Sequence, residues 1–430
     1  MKRFAALVLM YFICAQEPQK PNEIVESWPS GTLKARYTVD AENRKNGPYL
    51  ECYEDGKIKI RTSYRAGDIE GSFEELYPGG SLRLRTSYKK GKLDGSYLER
   101  DDTLAREIKA HFREGEKHGK IDITEKRKVV STQEWKTGEL LSLNGVAPPH
   151  PRQAAEIRET LNQIKTLPPQ EGFKADDPRL LALRRLQQYR YLCEVPFDGM
   201  ELDAAMNDAT LWGAKLCKAI GRLDHTPANP GWPDKDYKKG YNGTSHSNLS
   251  AGSSVVGSVD SYMDDSDPSN IDRVGHRRWC LNPRMLKTGF GNDGPWSAMW
   301  SMDSSRTKIP QIDLIAYPAR GYFPREYFHR NAAWSISFVS SKITPRAADK
   351  VKITVTPLDE WYAPARDPLP ITDFYFNSDG FGGSKCIIFR PKGAENAAGS
   401  KFFTEISVDG EEGAEIRYLV EFIETEKKKL

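Results

Sequence analysis

The pattern of hydrophobic and polar positions changes along the chain, and each change predicts a different kind of structure. Between about residues 30 and 143, aromatic and polar residues alternate and glycines recur, which predicts β-hairpins. Segments 153–167, 179–193 and 202–220 then carry apolar residues at three- and four-residue steps, which predicts helices. From 334 to 422 the alternation returns in six short segments bounded by Gly, Pro, Asp and Asn, which predicts antiparallel strands. The chain is therefore expected to be an α+β protein with several domains.

The first of these regions is an internal repeat with a period of 24 residues. A glycine and an aromatic residue recur at this step, at Gly47, Gly71, Gly95 and Gly119 and at Tyr64, Tyr88 and Phe112. Each unit is expected to form a β-hairpin, and the hairpins must stack because a single hairpin is only marginally stable. The repeat resembles the MORN-type repeat, in the longer variant of bacterial exported proteins. Repeat arrays commonly present surfaces without carrying chemistry, so we favour a spacer over a sheet that binds an envelope component.

Shifts in composition predict where the domains begin and end. The proline-rich stretch NGVAPPHP predicts a linker at 144–152, after the hairpin repeats at 30–143. A helical domain with a lead-in helix is expected at 153–325, and a β-sandwich accessory domain at 330–425. Residues 1–15 precede these domains and have the pattern of a signal peptide.

The N-terminal residues indicate export. Lys2 and Arg3 precede the apolar run 4–14, and Ala15 resembles the small residue of a signal-peptidase site before Gln16. We therefore expect a secreted, periplasmic or cell-surface protein. No later run approaches the roughly 20 apolar residues that span a bilayer, so no transmembrane segment is expected after the signal peptide.

Charge and cysteine content restrict the classes of function further. The chain has 63 Lys and Arg against 60 Asp and Glu, so binding to nucleic acid is not expected. It has no CxxC pair, which argues against a structural zinc site of the ribbon type. Cys193, Cys217 and Cys280 lie in the helical region, where two of them are candidates for one disulfide bond whose pairing stays open.

Two histidines are the candidates for a functional site. His225 follows the helix predicted at 202–220, and His276 opens the element predicted within GHRRWCLNP. Helix ends and loop starts expose polar side chains to clefts, so the two histidines can share one site. Neutral imidazoles close together can hold a divalent metal or relay a proton near neutral pH. Beside them, Arg277 and Arg278 are expected either to attract an anionic ligand or to form surface ion pairs.

The segment that contains both histidines, Pro178 to Ala319, resembles the CAP superfamily of cysteine-rich secretory, antigen 5 and pathogenesis-related proteins, in its bacterial form. The resemblance rests on the order of ALRRLQQYRYLCEVP, DGMELDAAMNDATLWGAKLCKAIGRLDH, SNLSAG and SYMDDSDPSNIDRVGHRRWCLNPRMLKTGFG. It implies an α-β-α sandwich whose central cavity carries two histidines and two acidic residues. His225 and His276 match the family histidines. Ser247 stands where the first glutamate is usual, and Asp265 is the candidate for the second acid.

Pattern and resemblance together predict an α+β multidomain protein, with an N-terminal β-hairpin repeat sheet, a CAP-like α-β-α sandwich and a C-terminal antiparallel β-sandwich. The cleft is expected to contain His225, His276, Ser247, Asn248 and Asp265. The candidate cofactor is a divalent metal such as zinc, with the two histidines as its ligands.

The function that the resemblance implies is binding of a ligand or partner, such as a lipid or a cell-envelope component, without established catalysis. The sequence assigns no catalytic residue, and we favour binding over catalysis. Two alternatives stay open. One is a secreted hydrolase that uses His225, His276 and an acidic residue. The other is a structural cell-surface protein in which the cleft is vestigial.

We predict that the mature protein begins near Gln16. Lys2 and Arg3, the apolar run and Ala15 supply the charged region, the apolar region and the small residue that a signal peptidase recognises. Mass spectrometry of the protein isolated from its host should give this N-terminus. An intact chain that begins at Met1 and stays in the cytoplasm would contradict the prediction.

Overall fold

The structure, a computed structural model, describes residues 22–339, 347–383, 385–408 and 415–426. The predicted signal peptide, 1–15, lies outside these residues. The chain divides into two compact units, with the boundary between Pro149 and His150. This boundary falls within the segment 144–152 that the sequence predicts as a linker.

In the described residues, the first unit forms one antiparallel sheet of 13 strands. The strands are β1 (Glu23–Ser27), β2 (Leu33–Val39), β3 (Lys45–Cys52), β4 (Ile58–Arg65), β5 (Asp68–Ile69), β6 (Gly71–Leu76), β7 (Leu82–Lys89), β8 (Lys92–Asp101), β9 (Arg106–Arg113), β10 (Glu116–Lys117), β11 (Gly119–Glu125), β12 (Lys128–Lys136) and β13 (Glu139–Leu143). The longer strands follow one another in chain order across the sheet, and the two-residue strands β5 and β10 pair with β4 and β9. A continuous antiparallel sheet is what stacked hairpins produce.

The recurring glycines and aromatic residues explain the 24-residue period of this sheet. Gly95 has a φ of +116°, and a Cβ at this position would overlap the hydroxyl group of Ser87 on the neighbouring strand. Only glycine combines this backbone conformation with such a close approach. Rings on adjacent strands pack edge to face, as between Tyr49 and Tyr64, whose centroids are 5.4 Å apart. Gly47 makes the same kind of close approach, to Thr38, whereas Gly71 and Gly119 are used for their positive φ alone.

The second unit contains all six helices of the described residues, together with further strands. In chain order these are α1 (Ala154–Lys165), α2 (Pro178–Leu192), β14 (Glu201–Leu202), α3 (Ala204–Ile220), α4 (Asp234–Ser245), β15 (Ser247–Ala251), α5 (Val255–Asp264), α6 (Gly275–Cys280), β16 (Lys287–Thr288), β17 (Phe290–Asp293), β18 (Trp296–Trp300), β19 (Leu314–Tyr317), β20 (Gly321–Pro324), β21 (Trp334–Phe338), β22 (Val351–Leu358), β23 (Ile371–Asn377), β24 (Cys386–Pro391), β25 (Lys401–Val408) and β26 (Glu415–Ile423). Short 3₁₀ helices occupy Arg325–Tyr327 and Ala348–Lys350. None of the helices that the structure describes is long and apolar enough to cross a membrane.

The helices α1, α2 and α3 confirm the three helical segments that the periodicity predicts. Capping groups explain where they begin. The carboxylate of Asp177 accepts a hydrogen bond from the backbone N–H of Arg179 at the start of α2. Asp203 accepts from the N–H groups of Ala205 and Met206 at the start of α3.

Helices cover both faces of the three-stranded sheet formed by β15, β18 and β17. On one face, Leu249 of β15 packs with Cys217 of α3. The preceding residue, Asn248, donates a hydrogen bond to Cys280 Sγ on α6. Successive residues of a strand point to opposite faces, so α3 and α6 lie on opposite sides of this sheet.

Two four-stranded sheets, which we call the C-terminal sheets, complete the second unit in the orders β19-β21-β24-β23 and β20-β26-β25-β22. Neighbouring strands are antiparallel except for β20 and β26. The rings of Trp334 and Phe402, one from each sheet, lie 5.9 Å apart. Leu183 of α2 and Val259 of α5 belong to the same buried hydrophobic cluster as Phe389 of β24.

This shared cluster bears on the domains expected from the sequence. The segments 153–325 and 330–425, expected as separate domains, both lie in the second compact unit and contribute to one cluster. Strands β19 and β20 precede residue 330 in the sequence, yet each belongs to one of the C-terminal sheets. The change from helical to alternating pattern therefore does not mark a break in packing.

We predict that the second unit folds without the repeats. A chain of residues 152–430 should stay soluble and melt cooperatively, because its hydrophobic cluster lies within the unit. A chain of residues 150–430 should melt at a higher temperature, by about 2–4 °C for each kcal/mol that His150 contributes. The ring of His150 stacks on Tyr322 at 3.9 Å, and its Nε2 lies 3.0 Å from Glu421 Oε2.

Circular dichroism melts of both chains measure this difference. The His150→Ala variant of the longer chain is the control and should melt like the shorter chain. Aggregation of both chains during expression, with no cooperative transition, would contradict independent folding.

Candidate functional site

His225 is held by the end of α4. Helix α3 ends before Gly221, whose φ of +70° turns the chain out of the helix. The Nδ1 atom of His225 lies 3.1 Å from the carbonyl oxygen of Thr244, and Thr244 Oγ1 donates to the carbonyl oxygen of His225 at 3.1 Å. Because a carbonyl oxygen only accepts, Nδ1 of the neutral ring carries the proton and Nε2 is left as an acceptor.

Close packing of α3 against α4 determines where the Thr244 carbonyl lies. A Cβ on Gly243 would overlap the carbonyl oxygen of Ala209, and a Cβ on Gly213 would lie 2.8 Å from the carbonyl carbon of Gly243. Thr244 itself is fully buried. A larger residue at either glycine would separate the two helices and move the acceptor that orients His225.

His276 is the second residue of α6, and Asp265 fixes the orientation of its ring. His276 Nδ1 lies 2.9 Å from Asp265 Oδ1, and Asp265 Oδ2 accepts a hydrogen bond from the backbone N–H of Arg277 at 3.2 Å. Asp265 is buried and follows α5 in a left-handed conformation, with a φ of +45°. The carboxylate binds the Nδ1–H group and leaves Nε2 of His276 as an acceptor.

The two imidazole rings lie beside each other, with their centroids 6.2 Å apart. Tyr262 packs near His276, with a centroid distance of 5.6 Å, and burial raises the pKa of its hydroxyl group. Asn248 Nδ2 donates to the backbone carbonyl of His276 at 2.9 Å. The neutral site therefore offers two oriented nitrogen acceptors, which suit a hydrogen-bond donor or a metal ion.

The structure brings together three of the five predicted cleft residues: His225, His276 and Asp265. The side chains of the other two do not contact either imidazole, and like Asp265 they are buried, with Ser247 2% and Asn248 1% exposed. Asn248 supports α6, whereas the hydroxyl group of Ser247 has no hydrogen-bond partner in the described part of the chain. Among the residues described, no group of three or more His, Cys, Asp and Glu side chains is placed to hold a metal ion.

The prediction that Arg277 and Arg278 meet an anionic ligand or form surface ion pairs is wrong. Their exposures are only 1% and 3%. Arg277 donates to the carbonyl oxygens of Met263 and Ala333 at 2.7 and 2.8 Å, and Arg278 donates to Asn377 Oδ1 at 2.7 Å. These acceptors belong to segments distant in sequence, so the motif itself gives no sign that the arginines are buried.

The expected disulfide bond is absent among the residues that the structure describes. Burial raises the pKa of Cys193 to about 12, which keeps this thiol protonated and unreactive at neutral pH. Cys193, Cys217, Cys280 and Cys386 are buried free thiols, and Cys52 is also buried.

Two features around the histidines are not predicted by the sequence: the contact of the Thr244 carbonyl with His225, and the hydrogen bonds of the buried Arg277. Thr244 acts through its backbone carbonyl, which every residue possesses, and it therefore leaves no signal in the sequence. Arg277 is visible in the GHRRW motif, but its role depends on acceptors supplied by the C-terminal sheets.

Comparisons with known proteins give little information about this arrangement. The sequence matches no family model. No curated protein matches it either. Among solved structures, a chain described as "Crystal structure of GtfA/B complex bound to UDP and GlcNAc" aligns with 28% of this chain, at 14% identity and a TM-score of 0.15. The alignment spans 27% of that protein's length, and a TM-score this low carries no argument about fold or function.

We predict that His225 lowers the stability of the folded protein below about pH 6.5, its ordinary pKa. His225 is still exposed over part of its surface, but the partial loss of its hydration lowers its pKa in the folded state; the Thr244 carbonyl opposes this shift, and the neighbouring His276 adds to it. The unfolded chain then binds more protons in acid, so stability falls as the pH drops from about 6.5 toward the folded pKa. Above about pH 6.5 the histidine is neutral in both states, and this contribution to pH dependence disappears.

Urea denaturation between pH 7.5 and 5 measures the effect. The His225→Gln variant keeps a donor for the Thr244 carbonyl and should lose stability less steeply toward acid pH. His111→Gln, at an exposed histidine of the first unit, is the matched control and should behave like the wild type. Equal pH dependence of the wild type and His225→Gln would contradict the prediction.

Proposed function

We propose that this is an exported CAP-type protein whose two-histidine cleft binds a ligand, with a lipid or a cell-envelope component as the expected class. The observation that supports the proposal is that both imidazole rings are oriented by hydrogen bonds and lie next to each other. Each Nδ1 is taken by a protein acceptor, Asp265 for His276 and the Thr244 carbonyl for His225, and the centroids are 6.2 Å apart. Nε2 is therefore the ring nitrogen that each of these neighbouring histidines has left for a ligand.

The surrounding architecture supports the CAP-type assignment. The resemblance implies an α-β-α sandwich, and here α3 and α6 lie on opposite faces of the sheet β15-β18-β17. The two histidines come from α6 and from the loop after α3, in agreement with the motif order. The repeats of the first unit serve as a spacer in this proposal, and export places the cleft outside the cytoplasm.

The cleft fits a divalent metal such as zinc only in part. Metal-ligating histidines usually donate the other ring N–H group to a carboxylate or a carbonyl, and His276 and His225 both do so. However, both oxygens of Asp265 are already bonded to His276 and Arg277, and no group of three candidate ligands exists among the described residues. Two imidazoles alone would hold zinc weakly, with the other positions left to water or ligand.

The hydrolase alternative is favoured by one specific observation, the bond between Asp265 and His276. A carboxylate on Nδ1 fixes the tautomer in which Nε2 accepts, so Nε2 of His276 is oriented to remove a proton from water. The opposing observation is that neither imidazole hydrogen-bonds a hydroxyl or a thiol among the described residues, so no activated nucleophile of the serine or cysteine type is present. Binding is therefore the better supported function.

We predict weak zinc binding that requires both histidines. Calorimetric titration at pH 7.5 should give heat for the wild type and none for the His225→Ala, His276→Ala double variant, because each imidazole supplies one ligand. The affinity should lie well below that of a closed four-ligand zinc site. His246→Ala is the matched control: this histidine stacks on Trp300, with centroids 4.8 Å apart, and should leave the heat unchanged.

The same proteins distinguish the alternatives. Equal heats for the wild type and the double variant would remove the paired site and favour a structural protein with a vestigial cleft. Turnover of an ester or a peptide, lost in both His276→Ala and Asp265→Asn, would favour the hydrolase. Zinc binding without turnover is the result that our proposal expects.

A further inference from the structure

We infer that the C-terminal sheets are part of the scaffold of the two-histidine site, and that Arg277 is the positioning residue through which they orient His276. The sheets carry neither histidine, and the sequence predicts them only as an accessory domain. The inference rests on the proposed function, because that function assigns His276 to the ligand site. The orientation of the His276 ring can nevertheless be measured whatever the cleft binds.

The guanidinium group of Arg277 joins three elements. Its Nε donates to the carbonyl oxygen of Met263 at the end of α5, at 2.7 Å, and its Nη2 donates to the carbonyl oxygen of Asp264. Its Nη1 donates to the carbonyl oxygen of Ala333 at 2.8 Å and to Ser335 Oγ on β21 at 2.9 Å. The side chain from α6 therefore ties the end of α5 to a strand of the C-terminal sheets.

These bonds act on the carboxylate that orients His276. Asp265 directly follows the two residues of α5 whose carbonyl groups Arg277 binds. Its Oδ2 accepts from the backbone N–H of Arg277, and its Oδ1 binds His276 Nδ1. One residue thus holds Asp265 from both sides, through its backbone N–H and through the preceding peptide groups.

A second set of contacts packs the C-terminal sheets against α6. Arg278 donates to Asn377 Oδ1 at the end of β23 and to the carbonyl oxygen of Asp379. Gly382 has a φ of +60°, and a Cβ there would lie 2.5 Å from the carbonyl oxygen of Arg278. A Cβ on Gly275 would lie 3.2 Å from the ring of Phe381. The loop after β23 therefore contacts α6 directly on either side of His276.

Arg190 is a buried arginine that contacts α6 but does not contact Asp265 or the C-terminal sheets, so it serves for comparison with Arg277. It is fully buried, and its guanidinium group donates to the carbonyl oxygens of Pro196, Cys280 and Asn282. It therefore stabilises the other end of α6. None of its hydrogen bonds reaches Asp265, His276 or the C-terminal sheets. Loss of Arg190 should lower stability without changing the environment of the His276 ring.

Nitrogen NMR of the histidine rings tests the inference in the full-length, metal-free protein. In the wild type at pH 7.5, His276 should show one protonated and one unprotonated ring nitrogen, as expected of a fixed Nδ1–H tautomer. In Arg277→Gln the separation between the two ¹⁵N shifts should shrink toward the average of exchanging tautomers, while His225 stays unchanged. Arg277→Lys should restore part of the separation, because an ammonium group can meet some of the same carbonyl acceptors.

Arg190→Gln is the matched control and should keep the wild-type His276 spectrum even though its melting temperature falls. If Arg277→Gln does not fold, Ser335→Ala removes a single acceptor of Arg277 in β21 and should give a smaller change of the same kind. Its control is Ser337→Ala on the same strand, whose hydroxyl group contacts Cys386 instead. An unchanged His276 spectrum in folded Arg277→Gln, or in Ser335→Ala where the former does not fold, would overturn the inference. A failure of zinc binding in the wild type would overturn only the proposed function.

Discussion

The burial of two guanidinium groups on α6 is the constraint on which the candidate site depends. Arg277 and Arg278 are at most 3% exposed, and a charged group removed from water is costly unless its donors find acceptors. Most of the acceptors are backbone carbonyls, from the end of α5, the residue before β21 and the loop after β23. The segments that supply them must therefore fold together.

This dependence explains how a six-residue helix can hold the His276 ring in a fixed orientation. Such a short helix has few internal hydrogen bonds, so tertiary contacts must fix its position. Asn248 binds the carbonyl group of His276, and Asp265 binds the N–H group of Arg277. His225 is fixed differently, by one peptide carbonyl at the end of α4. Only one of the two imidazoles therefore has a carboxylate behind it.

The sequence predicts the parts of this structure that depend on local pattern. The 24-residue period predicts the antiparallel sheet, and helical periodicity predicts α1, α2 and α3. The motif order predicts that His225 and His276 share one site, and their ring centroids lie 6.2 Å apart. The burial of Arg277 could not be predicted, because consecutive charged residues in a short polar motif have the pattern of a surface. The role of Thr244 could not be predicted either, since a backbone carbonyl carries no residue-specific signal.

The packing of the helices and the C-terminal sheets into one cluster also could not be predicted from local pattern. A domain boundary is predicted from sequence where the periodicity changes, but packing depends on which apolar faces meet. Here Trp334 and Phe389 of the C-terminal sheets belong to the same buried cluster as Leu183 and Val259 of the helices. The hydrophobic cluster and the hydrogen bonds of Arg277 and Arg278 join the same elements, so each stabilises the arrangement that the other needs. A site assembled in this way is only as well ordered as the whole unit, since loosening of the distant strands removes the acceptors that keep Asp265 against His276.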